Sequence, residues 1–462
     1  MTRTAGNSGE LMFGLVGTLV GTALALGYVP SDPSPAGALK ISAACMACGL
    51  LAGTIACIPR GYAAMLRGEN ILNLSIIYWL LLDLLQGAYD LDVSPTVVYQ
   101  TFFALGLLSL GIWVGAGQRS WNLPIFIRRE LDAVWSAEQI FLAAVVGFLL
   151  AMVTFAVPTE FDFPAMFSAI GGPRWSAPWS RGQLGGVDAI WDHFQYFGYV
   201  LPVLFVVHGS MKGWSNPKTI LLLAMTLLIL AFLSTGGGRR ILGVTVGAAI
   251  IYRILSARES RSWAFATAVG GAVGLLYTMQ EILMRRGEGW FEETESSLSS
   301  LRYLHVDDNF LRLGQTIELV PDAHPFAYFD LIFFILMRPI PRVLWPGKPV
   351  DPGFYLPTLI GDTGASLSYS AIGDWYLVWG FPTVLLGGWF FGRLAGFLNE
   401  MMAQQKSDAQ PIAVSVGLMV LFASMRSLQD LILMSYAILG WLVVSHFIQR
   451  HARRGRSASR VQ

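Results

Sequence analysis

The chain has 462 residues, of which 54% are hydrophobic and only 13% charged, about half the ~25% charged share of an ordinary soluble domain. That balance excludes a soluble enzyme: a dozen membrane spans of about 20 residues each absorb nearly all the apolar material and leave little for a separate soluble core. With a formal net charge of +1 and no basic patch interleaved with aromatics outside the carboxyl-terminal tail, nucleic acid has no electrostatic footprint here.

The reading is an all-α, polytopic integral membrane protein forming one membrane domain over residues 1–462. Apolar runs long enough to cross a bilayer as helices fall at Leu11 to Val29, Ala36 to Ile58, Asn70 to Leu85, Thr96 to Gly115, Ile140 to Val157 and His193 to Gly209. They continue at Thr219 to Ser234, Ile241 to Leu255, Ala264 to Leu283, Trp375 to Leu398, Pro411 to Met425 and Leu431 to Gln449. These make twelve expected spans. The first begins almost at the amino terminus, with no convincing cleavage site before Pro30, and reads as a retained span. Cys45, Cys48 and Cys57 lie together in the second without a histidine partner and read as buried, inert thiols.

Charge placement orients the spans, because lysine and arginine collect on the cytoplasmic side of short loops. With both termini cytoplasmic, that side holds Arg60 and Arg67, Arg119, Arg128 and Arg129, Lys212 and Lys218, Arg253, Arg258 and Arg261, and the basic tail 450–462. The first two outer loops, around Asp32 and around Asp90 and Asp92, carry no lysine or arginine. The cytoplasmic side also holds Arg3, Arg393 and Lys406, and the remaining outer basic residues cluster in two long loops, 158–192 and 284–374, with the tight turn Thr235 to Arg240 and Arg426. In the second loop, Phe310, Leu313, Ile317 and Val320 recur at helical spacing and predict an amphipathic helix on the membrane or on the bundle. Pro325 and Pro339 then bracket an apolar run too short to span, expected as a re-entrant or surface helix.

Ionisable residues in the spans share an address. Lys40, Asp83, Glu281, Asp374 and Asp430 sit at outer ends, Arg253, Arg393 and His446 at inner ends, and no span carries a charge at its midpoint. Secondary transporters commonly bind near the midplane on interrupted, repeated helices, so this pattern favours chemistry at the outer face.

The turn Ser234-Thr-Gly-Gly-Gly-Arg-Arg240 combines glycines, which permit close backbone approach, with Arg239 and Arg240, whose forked donors match phosphate oxygens. It reads as a diphosphate clamp or as a tight turn reaching lipid phosphate. The segment Met337 to Pro349 sets Arg338, Arg342 and Lys348 among prolines and Trp345, giving either a rigid cationic wall that suits sugars and phosphates or a loop anchored by the tryptophan. In the first long loop, Arg174 and Arg181 stand among aromatics and glycines, and an arginine, ten residues and a glycine recur as Arg174 to Gly185 and Arg342 to Gly353. For a proton acceptor, His305, Asp307 and Asp308 are the catalytic candidates. Asp90 and Asp92 lack the further ligands a metal requires, and no metal or cofactor is expected.

These features resemble the O-antigen polymerase (Wzy-like) family of oligosaccharide repeat-unit polymerases. The likeness rests on twelve spans, an arginine-bearing glycine turn between two of them, the long loop before the last three, Pro341-Arg-Val-Leu-Trp-Pro-Gly-Lys-Pro349, Gly364-Ala-Ser-Leu-Ser368, Ile372-Gly-Asp374, and the arginine-to-glycine spacing in both loops. The second loop of the family has a longer arginine-to-glycine spacing than Arg342 to Gly353. The resemblance implies a glycosyltransferase in the bacterial inner (plasma) membrane that polymerises undecaprenyl-diphosphate-linked oligosaccharide repeat units into surface polysaccharide at the outer face. It further implies the lipid bilayer, a chain-length regulator and a flippase as partners. An O-antigen ligase-type transferase and a lipid-linked oligosaccharide flippase are the alternatives. On the polymerase reading, Arg239 and Arg240 meet the donor diphosphate, Arg338, Arg342 and Lys348 meet diphosphate or acidic sugars, and Arg174 and Arg181 hold the second substrate.

Overall fold

The computed structural model describes residues 7–118, 121, 124–173, 176–180, 188–235, 238–256, 261–284, 303–349, 352–362, 367–404, 407 and 409–458. All regular structure among them is helical. Helices α1 (Asn7–Gly27), α2 (Lys40–Cys57), α3 (Gly68–Ile76), α4 (Pro95–Ala116) and α5 (Ala137–Ala156) are followed by α6 (Leu201–Lys212), α7 (Pro217–Ser234), α8 (Arg239–Leu255) and α9 (Arg261–Met284). Local sequence sets several starts: Ser94 caps α4 ahead of Pro95, Ser136 and Gln139 form a capping box on α5, and Asn216 caps α7 ahead of Pro217.

The stretch expected to hold the amphipathic segment forms α10 (Asn309–Leu319), whose Phe310, Leu313 and Ile317 are buried against the bundle. The short apolar run forms α11 (Tyr328–Met337). Four helices complete the chain: α12 (Ser370–Trp379), α13 (Phe381–Gln404), α14 (Ala409–Ser424) and α15 (Leu428–Ala458).

Nine stretches among the described residues are long and apolar enough to cross a membrane, and they define an all-helical membrane protein. The other three expected spans are helical but are not among these nine: α8 has 17 residues and opens on two arginines, α14 has 16, and α9, 24 residues long, includes Gly270, Gly271, Gly274, Gln280 and Glu281.

The expected span Trp375 to Leu398 needs redrawing. Gly380 takes φ 72° and Pro382 follows, so Trp375 ends up in α12 and a new helix starts at Phe381. Arg393 thereby moves to the middle of α13. It lies level with Gly115 at the end of α4, with its guanidinium 5.2 Å from the Trp121 ring and 5.9 Å from the Trp389 ring. The thiols are not uniformly buried either: Cys57 is, while Cys48 is exposed.

Two hydrophobic cores result. One gathers α2 to α4 with α10 to α13, the other α5 to α8 with parts of α14 and α15. Met419 and Leu431 pack against both. Helices α4 and α13 meet along glycines spaced four apart, the small-residue pattern that brings membrane helices into backbone contact. A Cβ on Gly111 would lie 2.4 Å from the Leu385 carbonyl oxygen, and one on Gly388 would lie 2.1 Å from that of Leu108. Gly388→Val should therefore separate the pair and cost about 1–3 kcal/mol, read as a lowered Tm in detergent. Gly270→Ala, at a helical position with nothing within 4 Å, should leave Tm unchanged or raise it.

Candidate functional site

A cavity of about 570 Å3 lies between the two cores and takes lining residues from each, among them Trp79 and Phe334 from one and Phe155, Tyr196 and Phe232 from the other. Its volume falls in the range of small-ligand sites. Arg239, Arg240, Arg338 and Arg426 line it together with Asp192, Asp307 and Asp430.

Each arginine arrives by a different local device. Gly238 precedes α8, and a Cβ there would lie 2.3 Å from the Leu233 carbonyl oxygen, so only glycine lets the chain turn back this tightly. Arg239 and Arg240 are the first residues of α8, where amides have no acceptor within the helix and the dipole favours anions. Arg426 occupies the short link between α14 and α15, and Arg338 follows directly on α11. Trp79 reaches the cavity from a π turn, Ile77–Leu81, that interrupts the third span. Such a turn disturbs the helical bonding ladder, and the Asn309 side chain donates to the Trp79 carbonyl at 3.1 Å.

The guanidiniums converge around carboxylates. Arg239 donates through Nη1 to the His305 carbonyl at 2.9 Å, and through Nη2 to the Val306 carbonyl and to Asp307 Oδ1, the last at 3.3 Å. Arg426 Nε donates to Asp307 Oδ2 at 2.6 Å. Arg240 Nη1 donates to Asp430 Oδ2 at 2.8 Å. Burial opposes the Arg426 charge, but Asp307 and Asp430 outweigh it and hold the group more firmly protonated than usual. Among the described residues the terminal nitrogens of Arg426 have no other partner, so they remain available to an anion.

The sequence-predicted residues therefore separate. Arg239, Arg240, Arg338 and Asp307 share the cavity. Both oxygens of Asp307 accept from guanidiniums, which fits a positioning carboxylate better than a base. His305 is exposed, with its carbonyl rather than its ring engaged by Arg239. Asp308 pairs with Arg312 one turn along α10, at 2.6 Å. Arg342 is exposed. Lys348 donates to the carbonyls of Arg338 and Ile340 at 2.8 and 2.7 Å, closing the end of α11; burial, then Arg338 and Arg342, push its pKa down.

Arg174, Arg181 and the glycines Gly236, Gly237 and Gly364 lie outside the described residues. Among those described, no group of three or more His, Cys, Asp or Glu side chains is placed to hold a metal. Sequence reasoning missed Arg426. Its partner Asp307 is 119 residues away, and the only local signal was a charged turn, Arg426 to Asp430, between two apolar runs.

Behind the cavity, the Leu428 N–H at the start of α15 donates to Asp374 at 2.8 Å. Burial pushes the Asp374 carboxyl up to about 7, partly opposed by that N–H and reinforced by Asp430.

Comparison of the chain with family models, characterised proteins and solved structures gives no match.

Two outcomes follow from these contacts. Asp307→Asn removes the charge shared by two arginines and should cost about 1–3 kcal/mol, whereas Asp308→Asn loses a helix-surface pair and should stay within about 0.5 kcal/mol; thermal unfolding of both compares them. The folded Asp374 value lies above its unfolded value of about 3.9, so its stabilising contribution is full below about pH 4 and is lost as pH rises through about 7. Asp374→Asn keeps an acceptor for Leu428 without the charge and should flatten the fall of Tm across that window.

Proposed function

We propose that the protein is a glycosyltransferase that polymerises polyprenyl-diphosphate-linked oligosaccharide repeat units at the outer face of a bacterial plasma membrane. In this reading the chain crosses twelve times with both termini cytoplasmic, which puts the cavity on the outer side. The observation that carries the reading is the convergence of Arg239, Arg240, Arg338 and Arg426 with the start of α8 on one cavity. Such a set suits a diphosphate, because guanidinium forks and helix-start amides match phosphate oxygens. The aromatic lining of Trp79, Trp179, Tyr196, Tyr199 and Tyr355 suits sugar faces.

The chemistry is displacement at the anomeric carbon of the donor. An acceptor sugar hydroxyl forms the new C–O bond, the bond to the lipid diphosphate breaks, and the diphosphate leaves with the electron pair. Charge grows on the leaving group, so fixed cations stabilise the transition state more than the bound substrate. Arg426, Arg240 and Arg338 take that role, while Arg239 fixes the segment carrying Asp307. The hydroxyl proton passes to a carboxylate, for which Asp192 is the candidate: it lines the cavity from a segment separate from the arginines and accepts from Gln195 at 2.6 Å.

Purified protein given only the lipid-linked repeat unit should produce a ladder of polymer. Arg426→Ala and Arg240→Ala should each lower that rate about 100- to 1000-fold. A glycan ligase would make no ladder without a second acceptor, and a flippase would move the lipid between leaflets without lengthening the glycan. Near-normal ladders from both variants would overturn the assignment of the cavity.

A further inference from the structure

Apart from the exposed Asp330 in its first turn, helix α11 is apolar on both sides, and its two sides meet different surroundings. Leu331, Phe334 and Ile335 are buried where the helix packs on α12 and α15. Phe334 and, one turn later, Arg338 line the cavity, with the guanidinium 5.4 Å from the Phe334 ring. On the other side, Phe329, Phe333 and Leu336 stand one above the next and are 79%, 45% and 52% exposed. Leu344, just beyond the helix, is 70% exposed, and Trp345 packs edge-on against Phe333 at 6.1 Å.

A contiguous apolar stripe of this kind marks a surface that meets lipid or a partner, and tryptophan is enriched where protein meets the membrane interface. At 10 residues the helix is too short to cross. Lys348 ties its end to the following segment through two carbonyls, which fixes the stripe and Arg338 as one unit.

We propose that the outward face of α11 is the docking surface for the polyisoprenoid tail of the lipid whose diphosphate occupies the cavity. The inference rests on the diphosphate reading of that cavity and adds the path of the tail. One helix delivers a cation to the cavity and turns an apolar stripe away from it, with Leu336 in its last turn on the side opposite Arg338. The tail of a diphosphate held at Arg338 therefore rounds the end of the helix to reach Leu336, from which it continues over Phe333 and Phe329. The match is of charge at the head and of apolar surface along the tail.

The test uses the full chain in nanodiscs of zwitterionic phospholipid containing radiolabelled undecaprenyl diphosphate as a minor component. A photoreactive benzoylphenylalanine replaces Phe333 or Leu336, or Leu439 as a reference, an exposed residue on α15. At Phe333 and Leu336 the isoprenoid adduct should exceed its mole fraction about tenfold, equivalent to a preference of about 1.4 kcal/mol, and should fall with unlabelled competitor. At Leu439 it should follow the mole fraction. Labelling in proportion at all three positions, or phospholipid adducts alone, overturns the proposal.

Kinetics supply a second readout. Leu336→Ser with Phe333→Ser should raise KM about tenfold for a long-chain donor, leave kcat unchanged, and leave KM unchanged for a donor with a short, water-soluble tail. An unchanged KM for both donors also overturns it. Polymer formation with unenriched labelling removes the tail surface and leaves the cavity reading standing; enriched labelling without polymer does the reverse.

Discussion

The cavity depends on one carboxylate placed between two guanidiniums. Two like charges about 7 Å apart repel by about 2 kcal/mol at an effective dielectric near 20, so four arginines do not gather at the seam of two apolar cores without counter-charge. Asp307 accepts from Arg239 on one oxygen and from Arg426 on the other, and Asp430 accepts from Arg240. The segment bearing Asp307 is held in turn. Gln86 exchanges two hydrogen bonds with the Leu304 backbone at 3.1 and 2.8 Å, Gln280 donates to the His305 carbonyl at 3.0 Å, and Asn309 reaches the π turn. The position of the charge is thus set by backbone contacts from three separate parts of the chain.

On the proposed transfer reaction, rigid surroundings give that arrangement its chemical value. Cations stabilise a developing charge most when they need not reorganise as it forms, which requires supporting elements that do not shift. The glycine contact between α4 and α13 brings backbone against backbone, and the second core stacks Phe155 on Phe232 with ring centroids 4.9 Å apart. Both aromatic rings belong to the cavity wall. The same packing that excludes water from the cores also fixes the aromatic side of the site, while polar contacts fix its cationic side.

What the sequence reveals follows the range of each interaction. Long apolar runs disclose the membrane helices because burial in lipid is read residue by residue along one segment. Arg239 and Arg240 are legible for a similar reason, since glycines and arginines in one turn announce an anion-compatible helix start. Arg426 is not legible, because its meaning comes from Asp307 across the fold. Lys348 misleads for the opposite reason: it looks like a ligand group among prolines, yet its ammonium is taken by carbonyls eight and ten residues back in the chain. The break at Gly380 is a middle case. The Gly380-Phe-Pro382 signal is present in the sequence, but an apolar run on both sides hides it until the positive φ shows where the helix divides.

The arginines also differ in what they have left to give. A guanidinium carries five N–H donors, and Arg239 commits bonds from both terminal nitrogens to the His305–Asp307 segment, while among the described residues Arg426 commits only Nε. Loss of Arg239 therefore removes three bonds from the segment that carries Asp307 and loosens the group that orders Arg426, although Gln86, Gln280 and Asn309 still hold that segment. Loss of Arg426 removes a fork that lines the cavity and leaves that segment tied to Arg239, Gln86 and Gln280. On the proposed function, two substitutions with the same chemistry thus act on different steps, one on the assembly of the site and one on its occupant, although a reader of the chain alone would rank Arg239 first.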